Sequence, residues 1–442
     1  MKRIVSLIIL LLGLTLSVQS QHDFNASKAD SLFQLLQENQ RWMGAVMLRK
    51  NGEIVYQNAI GMADMVDKIP NTTQTRFRIG SQTKTFTAVM ILQLVQENKL
   101  KMDAPLSQFF PEIQNAEQLT IAHLLRHRSG IYNFTNDPEY LSYHTNPIAQ
   151  KEILKKIAGY QPVFEPGSKA EYSNSNYILL GYILEAITGK DYAENLKMRI
   201  TEPLGLENTY YGSKINPKAS EAYSYKWEGG GFVPETETNM QIPHGAGAVV
   251  STVEDITLFL EALFNGGLFA EEQFAEMIRL EEDFGCGLFV MPFYKHEGMG
   301  HTGGIDGFSS MMAYFPEQQL AVSLLSNGGR FSNNEVMIAL LSEYFGMAYE
   351  LPEFTEVQIS KEVLESYEGV YASPSFPLKL SIRHLNGQLE GQGSGQPAFP
   401  LEAKNDSTFT FDMAGIRILF HADSLTLYQG GMTIPMAREK GE

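Results

Sequence analysis

The sequence predicts an α+β domain followed by a small all-β module, and three observations carry that prediction. Two strand-like runs, Gly44-Ala45-Val46-Met47-Leu48 and Glu53-Ile54-Val55-Tyr56, are joined through Asn51-Gly52, the strongest short-range hairpin signal. Further on, Phe86, Val89, Met90 and Leu94 recur at helical spacing among apolar neighbours, which marks a buried helix. From Tyr367 the texture changes to short alternating runs such as Leu378-Lys379-Leu380-Ser381-Ile382 and Ile416-Arg417-Ile418-Leu419-Phe420, separated by Gly and Asn/Asp turns, as expected of a small barrel.

Taken in order, the chain opens with Lys2-Arg3 and an apolar run over 4–16, so residues 1–21 read as a secretory signal peptide, too short for a stable membrane span. An amphipathic helix is expected over 27–39, then the hairpin, then the buried helix after Ser81. A short helix over 119–127 has Thr120 as its cap and Gly130 as its stop. Residues 138–166 are loop-rich and aromatic, with a helix near 148–157; they either wall a pocket or form a surface excursion. A second buried helix spans 173–188 and stops at Gly189. Thr252 to Asp255 has the form of a capping box ahead of another apolar helix. Strands over 284–294, 307–315 and 319–326 and a helix over 334–345 complete a domain spanning 22–350. Residues 351–366 read as a linker and 367–442 as the all-β module.

Composition narrows the function. The 442-residue chain carries a net charge of −17, which argues against nucleic acid and anionic lipid surfaces as partners. Its single cysteine, Cys286, in a segment read as a strand start, permits no intrachain disulfide; export without disulfides suits a bacterial periplasm. His123 and His127 are four apart, but Leu124-Leu125 replaces the glutamate of a His-Glu-x-x-His site, so no metal is assigned. The oligomeric state is not readable.

The chemistry centres on Gly80-Ser81-Gln82-Thr83-Lys84. Gly80 gives a tight entry to the helix, Ser81 stands at its N-terminus, and Lys84 lies one turn on along the same face. A serine needs a base, and a desolvated lysine can lose its charge and act as one. The helix start adds N–H groups for an oxyanion. Taken singly, so short a pattern favours the plainer reading of Ser81 as a helix cap and Lys84 as a solvated charge. Two further motifs change the balance. Tyr172-Ser173-Asn174 precedes the second buried helix, offering a phenol to relay a proton and an amide to grip a carbonyl. Gly300-His301-Thr302-Gly303-Gly304 is a glycine-rich strand edge that lets a substrate backbone lie close. A second Tyr-x-Asn, Tyr56-Gln57-Asn58, sits inside the hairpin and reads as a strand tyrosine.

In this order, Ser-x-x-Lys, Tyr-x-Asn and His-Thr-Gly resemble the serine β-lactamase and penicillin-binding-protein superfamily, and the Tyr-Ser-Asn form resembles its class C branch with carboxypeptidase, D-aminopeptidase and esterase relatives. The resemblance covers the first domain; Leu124-Leu125-Arg126-His127-Arg128-Ser129-Gly130, Phe164-Glu165-Pro166-Gly167 and Val250-Ser251-Thr252-Val253-Glu254-Asp255 look like landmarks between the motifs. The all-β module is similar, by texture, to a lipocalin-like domain. The resemblance implies an antiparallel sheet flanked by helices plus an all-helical region, with the site in the cleft between them. It implies Ser81 as the acylated nucleophile, Lys84 and Tyr172 sharing the acid and base roles, Asn174, His301, Thr302 and Gly303 binding substrate, the Ser81 and Gly304 N–H groups forming the oxyanion hole, and no metal or organic cofactor.

His301 stands where β-lactamases of this branch carry lysine, which weakens the case for β-lactams and free C-terminal D-alanine, since histidine is mostly neutral near pH 7. The expected activity is an exported serine hydrolase acting on small amides or esters, foremost D-amino-acid peptides or related esters. The alternatives are a β-lactamase or a catalytically dormant sensor; an α/β-hydrolase is disfavoured by the absence of any Gly-x-Ser-x-Gly elbow. The module at 367–442 caps the cleft, binds a ligand or simply packs, and the pocket is expected from loops at 132–162 and 223–244.

Overall fold

Asn51 and Gly52 both adopt left-handed backbone, at φ 52° and 80°, and turn strand β1, Trp42–Lys50, back into β2, Glu53–Ile60. The computed structural model describes residues 24–439 apart from 229, 355, 356, 358, 386, 397, 430 and 431; the signal-peptide segment 1–21 lies outside the described residues. Four later strands join the hairpin: β3, Phe289–Phe293; β4, His296–Ile305; β5, Phe308–Phe315; and β6, Leu320–Gly329. The order is β3-β4-β5-β6-β1-β2, antiparallel throughout.

Side chains alternate across this sheet, so it feeds two cores. Val46 and Leu48 pack with α1, Ala26–Glu38, and α5, Asn333–Phe345. Ala45 and Met47 face the larger core, which holds α2, Thr83–Gln96; α3, Asn174–Thr188; and α4, Val253–Phe264. Every side chain of α2 from Thr83 to Leu92 is buried, and Phe86 stacks on Phe259 of α4 at 4.0 Å. Each fully buried large apolar side chain is worth about 1.5–3 kcal/mol, so α2 is held from all sides by packing. It is the axis between sheet and helical region.

Three local expectations are corrected. The short helix, Ile121–Leu125, is capped by Thr120 with the His123 ring closing a capping box, but it ends at Arg126, and His127 takes the left-handed turn at φ 55°. Thr252 caps α4 by accepting from Asp255 N–H, yet the Asp255 carboxylate does not reach back; it accepts from Asn208 N–H at 2.9 Å and Thr209 Oγ1 at 2.8 Å. Cys286 is not in a strand. Gly287, at φ 67°, presses against the Lys84 carbonyl, where a Cβ would lie 2.7 Å away, and β3 starts only at Phe289.

A helix, Lys361–Ser366, lies within the segment read as linker. The chain then forms a closed eight-stranded antiparallel barrel in which successive strands are neighbours, from Gly369–Ser373 to Met432–Arg438, closed by Tyr371 opposite Arg438. Its interior holds Leu380, Leu389, Phe409, Ile418 and Met436. Glu402 of the barrel pairs with Arg41 and, at 3.2 Å, with Arg330 of the first domain. Among the described residues, no helix is long and apolar enough to cross a membrane.

Candidate active site

Gly80 has φ 53°, and a Cβ there would lie 2.8 Å from the Gly304 N–H, so only glycine suits both the turn and the approach of β4. Ser81 sits in a single 3-10 turn, Gly80–Gln82, leading into α2, rather than on the first α-turn. Gln82 is fully buried and pins this turn to β5: in the orientation its neighbours require, its carbonyl oxygen accepts from the Met311 and Met312 N–H groups at 3.1 and 3.2 Å. Ser310 Oγ donates to the Ile79 carbonyl at 2.8 Å. Gly303 is held equally close: a Cβ there would lie 2.1 Å from the Ile79 carbonyl and 3.0 Å from Ser81 N.

Lys84 is wholly buried, and its Nζ reaches Ser81 Oγ at 3.0 Å, Asn174 Oδ1 at 2.8 Å and the Ala246 carbonyl at 2.8 Å. Among the described residues no carboxylate pairs with it, and burial holds its pKa well below the usual lysine range. A neutral amine has two N–H groups and one lone pair. It satisfies this environment by donating to Asn174 and Ala246 and accepting the Ser81 proton. The arrangement can therefore deprotonate Ser81.

The Tyr172 ring lies 4.9 Å from Lys84 Nζ. Burial raises its pKa, opposed by a hydrogen bond with the Ser81 side chain. The Tyr172 ring packs on His127 at 4.5 Å. His127 is buried and accepts the Ser173 N–H at Nδ1, 3.1 Å away, so the ring fixes the backbone between Tyr172 and Asn174. Burial first, then the charge that Lys84 and His301 would carry if protonated, keep its pKa well below the usual value. Asn174 is set by the loop before it: Asn133 Oδ1 accepts its N–H at 3.0 Å and Thr135 Oγ1 accepts its amide at 3.1 Å.

Ser81, Asn174 and Gly304 line one cavity of about 690 Å³. Its walls come from both loop regions expected, with Tyr140, Leu141 and His144 on one side and Glu235, Thr236 and Pro243 on the other. Asp306 closes its end, held by Arg78 at 3.0 Å and by Thr238 Oγ1 at 2.6 Å. His301 is not among the lining residues. It is buried against Phe289 at 4.7 Å, its Nδ1 is directed to the Thr302 carbonyl, and burial above all, with the charge Lys84 would carry if protonated, pushes its pKa down to about 3. Thr302 is exposed on the strand edge. Tyr56, of the other Tyr-x-Asn, donates to Asp30 on α1, outside the cleft.

Sequence reasoning missed Gln82, Ser310, His127, Asn133, Thr135 and the Arg78–Asp306 pair. Gln82 and His127 stand inside motifs already singled out, as polar residues among buried neighbours. Asn133 and Ser310 carry no local signal.

A sheet flanked by helices, with a cavity-lining Ser81 beside a buried Lys84 at its edge, defines a class, and the Beta-lactamase family model matches residues 29–341. The chain belongs to that family and is a serine hydrolase of the β-lactamase and penicillin-binding-protein type. It is 26% identical to "Penicillin-binding protein 4*" of Bacillus subtilis (strain 168) over 93% of this chain and 98% of that protein. It is 26% identical to the "Teichoic acid D-alanine hydrolase" of Staphylococcus aureus (strain MRSA252), over 68% of this chain and 74% of that one. Among solved structures, the D-amino acid amidase from Ochrobactrum anthropi SV3, complexed with L-phenylalanine amide, is similar at 29% identity and a TM-score of 0.63, covering 72% of this chain and 99% of that one.

Proposed function

We propose that the protein is an exported hydrolase that releases small D-amino-acyl groups from amides or esters through an acyl-Ser81 intermediate. The observation that carries this reading is the 3.0 Å approach of a desolvated Lys84 Nζ, with no carboxylate partner among the described residues, to Ser81 Oγ. Ser81 Oγ attacks the carbonyl as its proton passes to Lys84. The Ser81 and Gly304 N–H groups receive the oxyanion. Tyr172 and Lys84 return the proton to the leaving amine or alcohol, and water then releases the acyl group by the same path.

The substrate class rests on charge. Glu235 and Asp306 line the cavity, Asp306 already paired with Arg78, while burial disfavours a positive charge on Lys84 and on His301. Such a site suits a free α-ammonium better than a free carboxylate. The names of two relatives, a D-alanine hydrolase and a D-amino acid amidase, point the same way. Export rests on Lys2-Arg3 and the apolar run over 4–16.

Intact-mass spectrometry tests the acyl-enzyme: a fluorophosphonate adduct on the wild type, absent from Ser81→Ala, is expected. Turnover of D-alanine p-nitroanilide well above its L-isomer and its N-acetyl derivative is expected for the substrate class. Full turnover by Ser81→Ala would refute the mechanism; preference for the N-acetylated compound would refute the charge argument.

A further inference from the structure

Behind the short helix His244–Gly247, whose Ala246 carbonyl holds Lys84, lies a second cavity of about 300 Å³. We propose that it is a binding site for a primary ammonium group, separate from the Ser81 cavity and independent of any role for Ser81. Three tyrosine rings surround His244: Tyr182 stacks on it at 4.7 Å, with Tyr192 at 5.2 Å and Tyr211 at 5.8 Å. Glu185 and Asp191 add two carboxylates to the lining. Aromatic faces with nearby carboxylates attract organic cations.

The hydrogen-bond pattern specifies a donor. Tyr211 OH gives its one proton to the Met240 carbonyl at 2.9 Å. With that proton on the Met240 carbonyl, His244 Nδ1, 3.1 Å from the same hydroxyl, is the donor of the pair and Nε2 carries a lone pair. His244 is only 6% exposed, and Nε2 has no hydrogen-bond partner among the described residues. It faces Glu185 Oε2 at 3.6 Å, acceptor against acceptor. Glu185 Oε1 is already satisfied by the Tyr192 N–H at 2.8 Å. Burial keeps His244 neutral, with its pKa pushed down to about 3, and raises that of Glu185. An N–H-bearing cation seated on Glu185 supplies the donor that this face lacks.

The site is built into the fold. His244 adopts φ 37°, which a side-chain-bearing residue rarely takes, and its ring lies so close to Gly181 that a Cβ there would sit 2.7 Å from Cδ2. The cavity shares Tyr211 and Gln241 with a neighbouring hollow, which in turn shares Thr238 with the Ser81 cavity.

The test titrates the full chain with n-butylammonium, tetramethylammonium and n-butanol, following the side-chain nitrogens of His244 by long-range 1H–15N NMR and heat by calorimetry. The expected result is saturable binding of n-butylammonium that moves the His244 resonances, with weaker binding of the other two. Glu185→Gln should weaken binding by about tenfold or more. Asp191→Asn, which keeps the cap that Asp191 provides to Glu194 N–H, should weaken it with the thermal midpoint unchanged. Unmoved His244 resonances, equal affinity in Glu185→Gln, or tetramethylammonium binding as tightly as n-butylammonium would overturn the proposal.

Discussion

Arg78 and Asp306 form a buried ion pair at 3.0 Å, both side chains 2% exposed, that ties the turn after β4 to the strand residue just before Ser81. Arg78 also donates to the Thr238 carbonyl at 2.9 Å and pairs with Glu237 at 2.8 Å. One guanidinium thus sets the spacing between Ser81, the Gly303-Gly304 edge and the 235–240 wall. Asp306→Ala leaves Arg78 buried with Glu237 as its remaining carboxylate and is expected to lose about 1.5–3 kcal/mol of stability by denaturant unfolding. Retention of wild-type stability would mean that the pair is replaceable by solvent.

Lys84 should be irreplaceable by another cation. Arginine stays protonated in proteins and cannot take the Ser81 proton. Lys84→Arg and Lys84→Met should both lower kcat by about 10²–10⁴-fold in a D-alanyl anilide assay. Activity in Lys84→Arg within tenfold of wild type would shift the base role to Tyr172.

Two adjacent glycines should respond in opposite ways. At Gly303 a methyl group meets the Ile79 carbonyl at 2.1 Å, whereas at Gly304 its nearest neighbour is the Phe308 carbonyl at 3.9 Å. Gly303→Ala should cost about 1–3 kcal/mol and abolish fluorophosphonate labelling, while Gly304→Ala should fold with an unchanged thermal midpoint. Similar midpoints for both variants would contradict this packing.

Three buried histidines make the fold acid-sensitive. His244 and His301 fall to about 3, and His127 is also held well below its ordinary value of 6.5. Below about pH 6.5 the unfolded chain takes up protons that the folded chain refuses, so stability is complete above that pH and is lost towards pH 3. Each such site contributes up to about 1.4 kcal/mol per pH unit. Unfolding free energy between pH 6 and 4 should flatten by about one proton in His301→Gln. An unchanged slope would show that His301 is protonated in the fold.

Glu402 is the barrel carboxylate that neutralises Arg41, which is 5% exposed. Glu402→Ala should uncouple the two domains, giving two thermal transitions or faster proteolysis between residues 351 and 366. A single unchanged transition would show that apolar contacts alone dock the barrel.

Much of the architecture was legible because it is written in short-range patterns. Asn51-Gly52 specified the hairpin, and Phe86 with the apolar run from Ala88 to Leu92 gave α2 its burial. Alternation after Tyr367 gave a β module, although the closure of that module into a barrel depends on Tyr371 meeting Arg438. His123 and His127 were legible only as a spacing. The spacing says nothing of the left-handed turn at His127 that directs one ring under Tyr172. The Thr252 box had the right letters, yet Asp255 was drawn to Asn208 and Thr209 instead.

The sequence by itself determined the α+β class, the all-β tail and the three motifs that bear the chemistry, since each depends on backbone preference and side-chain periodicity over a few residues. Only the tertiary structure decided that Lys84 meets Asn174 across 90 residues, that Ser310 anchors the Ser81 turn across 231, and that His301 packs into the interior beside the cleft. Those contacts arise from how the sheet and helices pack, and burial then sets the charge of each group they enclose.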